Sequence, residues 1–283
     1  DLLVGNDTRV MAARLFARRA TGGRVELLVL DPGPGPVRVL ARPARKLKDG
    51  EILEVDGGAR ATVVRGDELL VRFDAPVPDV LERCGHMPLP PYLGRDDEAS
   101  DRERYQTVYA GPLGAAAAPT AGLHFTEGLL EALGERGIAF ARVTLHVGIG
   151  TFRPLRDEDI ARGELHEEAY AVPGGTAAAV EACRARGGRV VAIGTTSCRT
   201  LESATPEGSR VPVPGAGTTR LFLQPGDRLR CVDGLLTNFH LPRSSLLLLV
   251  AALVGRERLL AAYAEAVRRG YRFYSYGDAM LLL

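Results

Sequence analysis

The chain has 283 residues, 46% hydrophobic and 25% charged, with 36 basic against 35 acidic side chains and a net charge of +1. This length and composition fit one large or two ordinary globular domains with a real core, and exclude a disordered or collagenous chain. The balance also excludes a polycation that grips nucleic acid over its whole surface; nearly all the basic residues are arginine, whose forked donors suit carboxylate and phosphate, although genomic base bias explains the same usage.

The opening Asp1-Leu2-Leu3-Val4 reads as the middle of a strand, so further residues are expected ahead of it. From Arg9 to Phe73 short apolar runs alternate with turn signals: Val25–Leu30, the break Asp31–Pro36, then Val37 and Val39, Ile52–Val55, Ala61–Val64 and Leu69–Phe73. Several short strands joined by Asp-Gly and Gly-Gly turns predict a small β-barrel or sandwich. A short helix is expected over Asp79–Arg83, and Pro88-Leu89-Pro90-Pro91 forces an extended connector at a domain boundary.

After Asp101 helix and strand alternate, the α/β pattern. Thr126 caps a helix to about Arg136, stopped by Gly137. Ile138–Val147 reads as a strand, with Arg142, Thr144 and His146 on one face. Val190–Ile193 reads as a buried strand that Gly194-Thr195-Thr196-Ser197 turns into a helix. Ser244 caps an apolar helix to Val254, a second helix runs from Arg256 to about Arg269, and Tyr271–Ser275 reads as a last strand. The longest apolar run, Leu246–Val254, falls far short of the ~20 residues of a membrane span. Cys84, Cys183, Cys198 and Cys231 are widely spaced, which argues against a zinc site or a disulfide scaffold and fits a reducing cytoplasm.

Residues of catalytic type recur at element ends in six phrases. Pro119–Thr126 places His124 before a helix start, where it meets an anion or helps to cap the helix. Thr144–Pro154 carries His146, two glycines and Arg153. Leu165-His166-Glu167-Glu168, if extended, puts His166 and Glu168 on one strand face, so that a carboxylate orients an imidazole; a metal set is not evident. Gly194–Glu202 has the strand–turn–helix form that cradles anions, and plain capping by Thr196 or Ser197 explains it equally. Thr237–Ser245 carries Asn238 and His240. Tyr271–Asp278 alternates aromatics with Arg272, either to stack a base or as half-buried core.

Taken with Asn6-Asp7-Thr8-Arg9-Val10, Gly85-His86-Met87-Pro88-Leu89-Pro90-Pro91-Tyr92 and Tyr105-Gln106-Thr107-Val108-Tyr109, these phrases run in order along the whole chain. Together they resemble the S-adenosylmethionine:tRNA ribosyltransferase-isomerases of queuosine biosynthesis. The resemblance implies a cytoplasmic, metal-free, monomeric enzyme away from membranes. Its fold would be an α/β main domain (1–8 and 86–283, its N-terminal part missing) with an inserted six-stranded barrel-like domain (9–85).

The implied reaction uses S-adenosylmethionine as co-substrate and tRNA carrying 7-aminomethyl-7-deazaguanine as partner. The sulfonium acidifies the adjacent ribosyl carbon and a base takes that proton. Adenine leaves, the aminomethyl nitrogen attacks, and epoxide closure expels methionine to give epoxyqueuosine. His124, His146, His166 and His240 are the expected acid/base groups, with Glu168 orienting His166. Arg153 and the turn from Gly194 through Thr195 and Thr196 to Ser197 are expected at the methionyl carboxylate or a tRNA phosphate. Asn6, Asp7 and Arg9 are expected near the junction of the domains, and Tyr271, Arg272 and Tyr274 at adenine or the modified base. Thr120, Gly122, Gly148, Gly150, Thr151, Arg199, Asn238 and Asp278 complete the expected binding set. The chain departs from the family pattern at Gly163, where a His is usual, and at Leu165, Gly5 and Asp227. The alternatives are a non-catalytic RNA-binding protein on the same scaffold, or a divergent transferase acting on a different 7-deazapurine nucleoside.

Overall fold

The computed structural model describes residues 1–30, 32–148, 155 and 157–283, with the backbone alone at Pro91. Two compact units form: one from residues 1–9, 106–112 and 118–283, the other from residues 10–105 and 113–117.

The chain begins on β1 (Leu2–Asn6) and β2 (Arg9–Val10) and then builds a barrel. Its strands are β3 (Arg14–Arg19), β4 (Arg24–Val29), β5 (Val37–Arg42), β6 (Ile52–Val55), β7 (Ala59–Arg65) and β8 (Leu69–Phe73). They close in the order β3-β4-β5-β8-β7-β6, each neighbouring pair antiparallel. Five of the six were legible as strands; β3 was not, because half of its Arg-Leu-Phe-Ala-Arg-Arg run is arginine and the apolar residues do not alternate. Alternation still sends Leu15 and Ala17 inward, beside Val25, Leu27, Leu53, Val63 and Val71. Helix α1 (Val77–Cys84) adds Val77, Val80, Leu81 and Cys84 to this core. A short α2 (Asp101–Arg104) and β9 (Leu113–Ala115) complete this unit.

The other unit is built on a seven-stranded sheet. After α3 (Glu127–Glu135) come β10 (Ala139–Leu145), α4 (Asp157–Arg162), β11 (Glu164–Val172), α5 (Gly174–Ala185) and β12 (Val190–Ile193). Then follow α6 (Gly194–Ala204), β13 (Gly215–Leu221), β14 (Gly234–Asn238), α7 (Ser245–Val254), α8 (Arg256–Arg268) and β15 (Ala279–Leu282). The strand order is β13-β11-β10-β1-β12-β14-β15. The middle four, β10, β1, β12 and β14, are parallel, and the outer strands pair antiparallel. One face buries Leu2, Val4, Val143, Val190, Ala192 and Leu235 with residues of α5–α8. The other packs Leu3, Phe140, Ile193 and Leu236 with Tyr109, Ala121, Phe125 and α3. The fold is thus an α/β main unit plus a closed six-stranded antiparallel barrel, as expected.

Three local expectations change. Tyr271–Ser275 is not a strand. Tyr274 sits at φ 73°, its N–H donates to Phe239 O at 2.9 Å, and Gly277 N–H returns to Tyr274 O at 3.0 Å. The aromatic alternation there is satisfied by packing Tyr271 and Phe273 on Phe239, with ring centroids 5.8 and 4.9 Å away; the last strand is β15. Ser244 stands at the N-cap position of α7, but its hydroxyl donates back to Leu241 O at 2.8 Å instead of capping. No turn separates β12 from α6: the helix starts at Gly194, whose φ of 86° lets the chain bend within one residue. Thr126 does cap α3, accepting the Leu129 N–H at 3.1 Å. All four cysteines are buried and free, and no helix among the described residues is long and apolar enough to cross a membrane.

Candidate active site

Parallel strands end on a common edge, so β1, β10, β12 and β14 bring Asn6, Leu145, Ile193 and Asn238 together there. The chain runs from β1 to β10 on one side and later returns to β12 on the other. Such a switch in strand order opens a crevice at the carboxyl edge, the usual ligand position in open α/β sheets. Nearly all the histidine phrases end at this edge.

At the end of β1, Asn6 is fully buried. Its amide donates to Leu145 O at 3.0 Å and accepts Leu145 N–H at 2.9 Å, continuing the β1–β10 pairing with a side chain. Thr144 donates its hydroxyl to Asp7 at 2.7 Å. The Thr8 hydroxyl meets His146 Nδ1 at 2.8 Å. Burial lowers the pKa of His146 and the nearby Asp7 carboxylate opposes that shift, so the ring is neutral at pH 7. Arg9 is exposed and donates to Ala110 O at 2.9 Å.

β11 is extended, and its amino half runs past the end of β10, whose last residue pairs with Tyr170. His166 and Glu168 therefore share a face, with Nε2 and Oε1 3.2 Å apart. The Glu168 side chain is 1% exposed. The same Oε1 accepts Gly148 N–H at 3.0 Å, and Oε2 forms an ion pair with Arg199 of α6. Burial works against the charged carboxylate, but the hydrogen bond from His166 and the charge of Arg199 outweigh it and leave the Glu168 pKa lowered.

A second cluster surrounds Asn238 at the end of β14. Thr120 donates its hydroxyl to Asn238 Oδ1 at 3.1 Å. Nδ2 lies 3.2 Å from both Tyr274 O and His124 Nε2. A carbonyl only accepts, so the Tyr274 contact fixes the amide orientation; Nδ2 then donates to His124 Nε2, and the neutral ring carries its proton on Nδ1. Burial lowers the pKa of His124, with Asp278 opposing and Arg272 adding to the shift. Gly122 is required beside it: a Cβ there would lie 2.3 Å from the Tyr109 hydroxyl and 2.7 Å from Thr107 Cγ2.

His240 differs from these. Its Nε2 meets the Thr237 hydroxyl and its backbone N–H donates to the Tyr263 hydroxyl, both at 2.7 Å. Burial pushes its pKa down to about 4. Arg272 and Asp278 are tied to each other at 2.8 Å at the surface. Tyr271 stays 43% exposed beside the Phe239 cluster.

At the start of α6, Thr195 is buried and Ser197 donates to Ile193 O at 2.7 Å, so Ser197 does not cap the helix. The buried Thr196 hydroxyl oxygen has no partner among the described residues. Gly150, Thr151 and Arg153 lie outside the described residues. Gly163, at φ 66°, stops α4 with its N–H on Asp159 O; a glycine suits that left-handed position. No group of three potential metal ligands occurs among the described residues. The sequence reading missed Thr8, Thr107, Tyr109, Thr237 and Tyr263 as site neighbours. The first four lie inside quoted phrases, but nothing local marks the Thr8 hydroxyl as the one that meets the His146 ring 138 positions away.

The family model described as "Queuosine biosynthesis protein" matches residues 1–282. A protein of Acidithiobacillus ferrooxidans named S-adenosylmethionine:tRNA ribosyltransferase-isomerase is 56% identical over all of this chain and 83% of its own length. One of the same name from Trichlorobacter lovleyi is 52% identical over all of this chain and 84% of its own. The crystal structure of S-adenosylmethionine tRNA ribosyltransferase from Thermotoga maritima is similar with a TM-score of 0.50 and 35% identity, covering 100% of this chain and 82% of that one. The chain therefore belongs to the S-adenosylmethionine:tRNA ribosyltransferase-isomerase family of queuosine biosynthesis.

Proposed function

We propose that this chain transfers and isomerises the ribosyl part of S-adenosylmethionine onto 7-aminomethyl-7-deazaguanine at the tRNA wobble position, with His166 as the base. Family membership supports the reaction, and the bond between His166 and buried Glu168 supports the choice of base. A carboxylate only accepts, so Nε2 carries the ring proton and Nδ1 keeps a lone pair for the carbon acidified by the sulfonium. At 36% side-chain exposure the ring is within reach of a substrate.

The other rings suit other tasks. His124 holds a proton on Nδ1 and can donate it in a hydrogen bond to a departing purine nitrogen. His146, between Thr8 and Asp7, serves to position the ribosyl group. His240 is turned to Thr237 and Tyr263 and braces the end of β14. The first N–H groups of α6 and the Thr196 hydroxyl suit the methionyl carboxylate, because a helix N-terminus favours an anion. Asp7 and Asn238 flank the ribosyl and adenine positions, and the enzyme works without a metal.

The test is adenine release from S-adenosylmethionine in the presence of tRNA carrying the aminomethyl base. Loss of a general base costs roughly 100-fold or more, so His166→Ala is expected to fall at least that far. His240→Gln is expected to stay within about tenfold, the cost of ~1.4 kcal/mol of lost positioning. Wild-type turnover by His166→Ala would remove it as the base.

A further inference from the structure

We propose that Arg199 is a positioning residue that holds the Glu168 carboxylate in place for His166, and is not a substrate ligand. This rests on the assignment of His166 as the base. Arg199 lies in the second turn of α6 and is 5% exposed. Its Nε donates to Leu221 O at 3.0 Å and its Nη1 is paired with Glu168 Oε2. Its Nη2 has no partner among the described residues, yet it is shut off from solvent. A substrate carboxylate would have to displace buried groups to reach that nitrogen. The guanidinium therefore serves the protein from beneath the site.

Glu168 needs such a cation. A carboxyl group in an apolar interior takes up a proton unless a charge or hydrogen-bond donors hold it ionised. Once protonated it would be a donor as well as an acceptor, and nothing would compel His166 to keep its proton on Nε2. The neighbouring charges are committed elsewhere. Glu164 and Glu167 face Arg220 at 3.7 and 3.3 Å, and Glu202 accepts the backbone N–H groups of Arg230, Cys231 and Val232. Arg199 is the arginine paired with Glu168, and Gly148 N–H fills the remaining site on Oε1.

With Glu168 ionised, Nε2 keeps its hydrogen and the Nδ1 lone pair faces outward from the bond. When Nδ1 takes the ribosyl proton, the imidazolium sits against an ionised carboxylate already balanced by Arg199. The proton stays on Nδ1 until it passes to the leaving group or to water, and no electron is exchanged. Such partners behind a working side chain fix its orientation and tautomer.

Two measurements on the full chain test this. Ring nitrogen-15 NMR, with the His166 signals assigned by their loss in His166→Asn, is expected to find the Nε2–H tautomer in the wild type. In Arg199→Gln, which removes the charge, a tautomer mixture is expected, whereas Arg199→Lys, which keeps it, is expected to hold the Nε2–H form. A wild-type ring protonated on Nδ1 would overturn the proposal. In adenine-release kinetics, losing a supporting partner lowers activity by roughly 10–100-fold, so Arg199→Lys is expected to lose that much kcat with KM for S-adenosylmethionine within about threefold, and Arg199→Gln more. A KM raised about tenfold or more at unchanged kcat would make Arg199 a substrate ligand and refute the assignment. The tautomer reading needs no turnover, so a wild type that released no adenine would count against the proposed reaction alone.

Discussion

The four histidines of the α/β unit look alike in sequence, and their partners make them different. His166 faces a carboxylate, His124 an amide, and His146 and His240 hydroxyls. His166, His124 and His240 are engaged through Nε2 and His146 through Nδ1, so the kind of partner, more than the free nitrogen, separates their tasks. Burial also gives His240 a stability signature. Its folded pKa of about 4 lies below the ordinary 6.5. The native state therefore favours the neutral ring, and this contribution is fully present above pH 6.5 and lost as pH falls toward 4. His240→Gln is expected to flatten the fall in stability between pH 6.5 and 4, read from urea midpoints across that range. An unchanged slope would mean that the ring is not held neutral in the fold. Glu168 contributes to acid sensitivity lower down: its folded pKa is lowered from 4.5, so its contribution is present above that value and lost as pH falls through the folded one.

Elements turn these side chains into a site through their ends. Thr120 and His124 lie on a tight turn before α3, and both meet Asn238 at the end of β14. That turn reaches the sheet because Gly122 has no side chain against Tyr109. Tyr109 is 4% exposed and packs at a tilt against Phe140, 4.9 Å between ring centroids, so its ring has little room to yield. Overpacking of this kind costs roughly 1–3 kcal/mol, and Gly122→Ala is expected to lose about that much stability in chemical denaturation together with most adenine release. Retention of both would mean that the turn shifts freely. The Thr126 cap and the helix of Arg256–Arg268 were legible because each depends on residues within one or two turns, whereas the reason for Gly122 lies in Thr107 and Tyr109, more than a dozen positions earlier. Tyr271–Ser275 misled because its alternation matches a strand, while its aromatic partner Phe239 lies about thirty residues earlier.

In the molecule as a whole, closure and strand order decide what local patterns leave open. The barrel has no free edge, and its inward residues form one core. Leu53 is fully buried in it, and a closed wall collapses poorly around a hole. Leu53→Ala is expected to cost about 2–5 kcal/mol in chemical denaturation; a change well under 1 kcal/mol would mean a loosely filled interior. By itself the sequence determined the fold class, most elements of both units and the family, because these rest on short-range periodicity, turn residues and ordered phrases. Only the tertiary structure decided that β1 lies between β10 and β12, that Asn6 bonds Leu145 across 139 positions, and that Glu168 is shared by His166, Gly148 and Arg199. Long-range pairing is chosen by the burial and hydrogen bonding of the whole sheet, and no local propensity carries that information.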